Sequence, residues 1–102
     1  MITVFAEHFL DSDGQQYFPD WVSEMEGELK FFDGFQSIEH MRDLQHSDRS
    51  LYFLQFEAVE HMRLWAKSRI RAGFLKKIEQ YETQKSSSQV LCSADADDFV
   101  GF

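Results

Sequence analysis

A chain of 102 residues, 43% hydrophobic and 16% aromatic with eleven Phe, is one folded domain, 1–102, rather than a disordered segment. Its formal charge of −8 argues against nucleic acid as a partner and disfavours an anionic membrane surface. The single cysteine, Cys92, cannot close an intrachain disulfide, no apolar run is long enough to span a bilayer, and the opening residues lack the basic start of a signal peptide; the expected location is the cytoplasm.

Ile2–Leu10, "ITVFAEHFL", is β-branched and aromatic and predicts a strand. Ile2, Val4, Ala6, His8 and Leu10 share one face, and Thr3, Phe5, Glu7 and Phe9 the other. After the turn "DSDG", Phe18, Trp21, Val22, Met25, Leu29 and Phe32 recur at helical spacing. Because proline is best tolerated in a first turn, Pro19 places the expected start of this helix near residues 17–19. Gly34 closes it in "DGF". A strand is expected over Phe35–Leu44, then a polar turn "QHSDRS", then a strand apolar on both faces at Leu51–Glu57. Val59, Met62, Ala66 and Ile70 form a helical stripe with Trp65 on its flank. A new phase, Phe74, Leu75, Ile78 and Tyr81, implies a helix break between Arg69 and Gly73. "KSSSQ" is expected as a linker, "QVLCSA" as a short last strand, and 94–102 as an acidic tail.

The order β-α-β-β-α-β is that of the ferredoxin-like α+β fold: an antiparallel four-stranded sheet with helices on one face. Two strands are apolar on both faces, and helices cover only one. The other face is expected to meet a second copy of the chain, making a homodimer.

"ITVFAEHFL", the "GF" at Gly34 and Phe35, and the F-E-x-x-E-x-M-x-x-W-x-x-S run from Phe56 to Ser68 resemble the antibiotic biosynthesis monooxygenase family over residues 2–93. The resemblance implies a dimeric α+β barrel with a pocket between sheet and helices in each protomer. It also implies oxidation of electron-rich phenols by O₂ with neither metal nor flavin. A heme-degrading branch carries Asn on the first strand, Trp on the second helix and His ten residues later. Here those positions are His8, Trp65 and Leu75, so the axial ligand is missing and heme degradation is not expected.

Within that frame His8 is the candidate base, since an imidazole on the helix-facing side of the first strand can take a phenolic proton. A histidine there can equally serve as a buried hydrogen-bonding group. Trp65 is the candidate stacking wall, with Trp21, Phe18, Phe53, Phe32 and Phe74 around the same space; each also suits a core. Arg69 and Arg71 at the helix break can hold a substrate carboxylate or simply offset surface acid. Glu7 faces the proposed dimer interface, where an Arg of the second chain is its expected partner. His40, His46 and His61 are not spaced as metal ligands, and no metal is expected. With no G-x-G-x-x-G and no G-x-S-x-G, no nucleotide cofactor or serine nucleophile is expected. The function expected is a cofactor-independent monooxygenase of a hydrophobic aromatic small molecule. The alternative is a non-catalytic dimeric binding or stress-associated module. An open pocket walled by His8 favours the first, and a filled one a structural role.

Overall fold

The computed structural model describes residues 1–93; the expected acidic tail lies outside the described residues. Its elements run β1 (Ile2–Leu10), α1 (Ser12–Leu29), β2 (Phe35–Arg42), β3 (Arg49–Phe56), α2 (Val59–Ala66), α3 (Arg69–Glu79) and β4 (Glu82–Cys92). The four strands form one antiparallel sheet in the order β2-β3-β1-β4, the ferredoxin-like arrangement. The helices cover one face. Between them and the sheet lies the core: Ile2, Ala6 and Leu10 of β1, Tyr52, Leu54 and Phe56 of β3, and Phe18, Trp21, Met25, Leu29, Met62, Trp65, Phe74 and Ile78 from the helices.

α1 begins earlier than the proline suggests. Asp11 caps it, its carboxylate accepting from the Gly14 N–H at 2.8 Å. Pro19 therefore sits inside the helix on the exposed side. A helix-interior proline costs about 3 kcal/mol. The continuous face of Phe18, Trp21, Val22, Met25 and Leu29, all buried, outweighs that cost. Gly14 is required by packing. A Cβ there would stand 2.5 Å from Tyr81 Cβ and 2.9 Å from Leu10 Cβ, where α1 meets the start of β4.

The second helical stretch breaks at Lys67–Ser68, before the expected interval. Ser68 caps α3, accepting from the Arg71 N–H at 3.1 Å and donating to the Trp65 carbonyl at 2.7 Å. The break turns Ala66 and Ile70 to solvent and leaves Met62 and Trp65 as the buried residues of α2. β2 stops at Arg42, two residues short of the expectation, and β3 starts at Arg49, inside the expected turn.

The largest difference is β4. "KSSSQ" is strand, not linker: Ser87, Ser88 and Gln89 pair with Glu7, Ala6 and Phe5. Serines are poor strand formers, but a ladder to a central strand supplies what propensity lacks. Their polarity also suits a sheet edge. Glu7 finds its partner in its own chain. Arg49, the neighbour across the β1–β3 ladder from Phe9, bridges Glu7 and Asp43, so no second chain is needed to satisfy the carboxylate.

Candidate active site

β1 and β3 pair so that Ile2, Val4, Ala6 and His8 lie opposite Phe56, Leu54, Tyr52 and Ser50 on the helix-covered face. Alternation alone therefore carries His8 inside, where 2% of it is exposed. Beside it the β1–β4 register slips: Glu7 pairs with Ser87, Phe9 with Gln84 and Leu10 with Glu82. Extra residues on one strand bend it and re-aim its side chains. The slip brings Glu82 back toward His8, with its Oε1 3.2 Å from His8 Nδ1. A carboxylate only accepts, so Nδ1 donates and the lone pair is left on Nε2.

Aromatic rings hold the imidazole on its other sides. Trp21 meets it edge-on at 5.3 Å, Tyr52 stacks at 6.2 Å, and Phe18 tilts against it at 6.2 Å. The Trp21 indole is itself fixed, its Nε1 donating to the Phe74 carbonyl at 2.9 Å. Burial pushes the His8 pKa below its ordinary 6.5. The hydrogen bond and charge of Glu82 oppose that shift, and the Arg71 guanidinium reinforces it. Burial also pushes the Tyr52 hydroxyl up to about 12, so it stays a neutral phenol. A neutral imidazole with an oriented proton on one nitrogen and a free lone pair on the other is equipped to accept a proton at neutral pH.

His8 opens on a recess of about 180 Å³ walled by Ala6, Tyr52, Arg71, Leu75 and Ser86–Ser88. Arg71 and Leu75 come from α3 and the serines from β4. A larger cleft of about 460 Å³ lies on the other side, between α1 and β2. The smaller recess is the candidate for chemistry, because the buried histidine lines it.

The expected site residues are not all gathered here. Phe18 and Trp21 touch His8, and Phe74 packs on Trp21. Trp65 is buried, but its ring contact is Phe32, edge-on at 5.2 Å, and it does not wall the recess. Phe53 lies on the opposite sheet face, its ring tilted against Phe5 at 5.0 Å, because it alternates with Tyr52 and Leu54. Of the two arginines, Arg71 lines the recess and Arg69 is exposed outside it. Leu75, at the position of the missing axial histidine, supplies an apolar wall. Among the described residues no three His, Cys, Asp or Glu side chains converge as metal ligands. Tyr52 was legible, since its strand pairs antiparallel with β1. Glu82, 74 residues from His8, carries no local signal.

No family model matches the chain, and no curated protein matches its sequence. Solved structures do. A proposed antibiotic biosynthesis monooxygenase from Deinococcus radiodurans superposes with a TM-score of 0.82 at 9% identity, covering 99% of this chain and 100% of its own. Rv0793 from Mycobacterium tuberculosis gives 0.78 at 14% identity over 94% and 97%. SnoaB from Streptomyces nogalater, a cofactor-independent oxygenase solved as a point mutant, gives 0.78 at 7% identity over 93% and 94%. At such identities the likeness speaks for architecture, and the chain has the fold of the antibiotic biosynthesis monooxygenases.

Proposed function

We propose that the protein is a cytoplasmic, cofactor-independent monooxygenase of a small electron-rich phenol. The observation that carries this reading is the buried His8, held by Glu82 and opening on a recess. An apolar cavity of about 150 Å³ accepts a benzene ring. The recess, at about 180 Å³, takes one ring of a substrate, with any further part lying outside over α3 and β4.

In the proposed reaction His8 Nε2 takes the phenolic proton, and Arg71 stabilises the phenolate. The phenolate passes one electron to O₂, giving a phenoxyl radical and superoxide. These couple at a ring carbon that bears hydrogen, and the peroxide oxygen takes the proton back from His8. Cleavage of the O–O bond with loss of that ring hydrogen releases water and leaves a quinone. The sum is phenol plus O₂ to quinone plus water. Glu82 orients the imidazole and stabilises the imidazolium while it exists. Tyr52 and Leu75 in the wall limit the access of bulk water to the radical pair.

Supplying a panel of alkoxy- and hydroxyphenols under ¹⁸O₂ is expected to give oxygen uptake above the spontaneous rate and one labelled oxygen in the quinone. Phenols that bind without oxygen uptake would establish the binding-module alternative instead.

The unit is proposed to be a homodimer through the open sheet face. Phe5, Phe9 and Phe53 there are only half-buried, and Met41 and Leu91 are 41% and 47% exposed, with no helix above them. Light scattering at micromolar concentration is expected to give twice the chain mass of 12.1 kDa. A monomer would remove the dimer from the proposal.

A further inference from the structure

The larger cleft, on the far side of His8 from the recess, has no part in the reaction above. It is about 460 Å³ and is lined by Gln15, Gln16, Phe18 and Pro19 of α1, His40, Met41 and Arg42 of β2, and Ser47 and Ser50. Three features of its wall point to a ligand. First, Ser50 lines the cleft, and its hydroxyl, which makes no hydrogen bond among the described residues, is open to a ligand there.

Second, Arg42 has no carboxylate partner among the described residues, although the chain carries 18 acidic against 10 basic side chains. The neighbouring Asp43 is committed to Arg49 at 3.1 Å. His40 and Arg42 alternate on β2, so both lie on the helix-covered side, opposite Tyr52 and Ser50. No Asp or Glu lines the cleft. Third, Phe18 and Pro19 give the wall an apolar part beside the polar Gln15, Gln16, His40 and Ser47. The Phe18 ring stands edge-on to His40 at 6.5 Å, and Pro19 lines the cleft beside it.

We infer that this cleft is a second ligand site, which takes a compact aromatic carboxylate. The carboxylate pairs with Arg42, accepts from Ser50, and has its ring against Phe18 and Pro19. One fixed positive charge matches a monoanion. A bare phosphate dianion exceeds that charge and leaves the apolar wall wet. The site is separate from the oxygenase recess, because the two share none of their lining residues.

Benzoate titrated into the full chain, followed by amide shifts in nitrogen–proton NMR spectra, is the test. Saturable shifts are expected at Gln16, His40, Arg42 and Ser50. Arg42→Met is expected to weaken benzoate roughly tenfold or more, the usual worth of a charge-assisted pair. Ser50→Ala is expected to weaken it less, and Arg71→Met to leave it unchanged. Benzyl alcohol, the same ring without charge, is expected to bind far more weakly. The inference is overturned if shifts centre on Ala6, Leu75 and Ser86–Ser88 and Arg71→Met abolishes them. It is overturned equally if benzoate and benzyl alcohol bind alike, or if neither saturates. Arg42 is exposed and its replacement leaves the core intact, so loss of binding in a folded variant reads the site directly.

Discussion

His8→Gln is expected to cut phenol-dependent oxygen uptake by about 10²–10⁴-fold, the usual worth of a positioned general base. Glutamine fills similar space and can still hydrogen-bond Glu82, so the fold is expected to survive. Near-ultraviolet circular dichroism, which reports the packing of Trp21 and Tyr52 around this position, checks that. Unchanged turnover in a folded variant takes His8 out of the mechanism.

The pH profile separates the base from its neighbours. His8 is held below its ordinary 6.5, so the working neutral form persists to lower pH than in a free histidine, and the acid limb of kcat/KM is expected below 6.5. Glu82 opposes the lowering. Glu82→Gln is therefore expected to move the acid limb further down while reducing the rate, a shift that loss of packing would not produce. Arg71→Met is expected to move it up. The same group sets a sign for stability. A histidine whose folded pKa is depressed contributes fully above 6.5. That contribution is lost as pH falls from 6.5 toward the folded pKa, because the unfolded chain takes up the proton first.

The fold was legible because its central strands and first helix carry strong signals. β1 and β3 are aromatic-rich runs apolar on both faces, and α1 carries one unbroken apolar face, so element types and order followed from composition and spacing. What misled was chemistry that depends on a neighbour. Pro19 reads as a first-turn residue unless Asp11 is known to cap the chain upstream. "KSSSQ" reads as a linker unless β1 lies beside it to complete the ladder. The site divides in the same way. His8 and Trp21 follow from the faces of single elements. Glu82 reaches His8 only through a register slip between strands far apart in sequence, which no local pattern encodes. Trp65 was drawn toward the site by its place in a motif, whereas the short α2 directs it to Phe32.

The second large effect falls on stability. Trp21 is fully buried, and its ring lies within 6.4 Å of His8, Phe18, Tyr52 and Phe74. Trp21→Ala is expected to cost about 3–5 kcal/mol in urea unfolding, since the cavity lies where sheet and two helices meet and cannot collapse. Against a total of about 5–15 kcal/mol for a domain this size, that is a large fraction. The melting temperature is expected to fall on the order of 20 °C. Trp65→Ala, at 2% exposure, is expected to cost a comparable amount, whereas Phe31→Ala, at 87%, is expected to change little. The tryptophans part company in what they hold. Trp21→Phe keeps most of the volume but loses the bond to the Phe74 carbonyl, which fixes the ring against His8. A modest loss of stability with a larger loss of oxygen uptake is therefore expected for Trp21→Phe. For Trp65→Phe, the loss of stability is expected to leave the rate of the folded fraction unchanged. Equal effects of the two phenylalanine variants on that rate would mean that Trp21 serves the core alone.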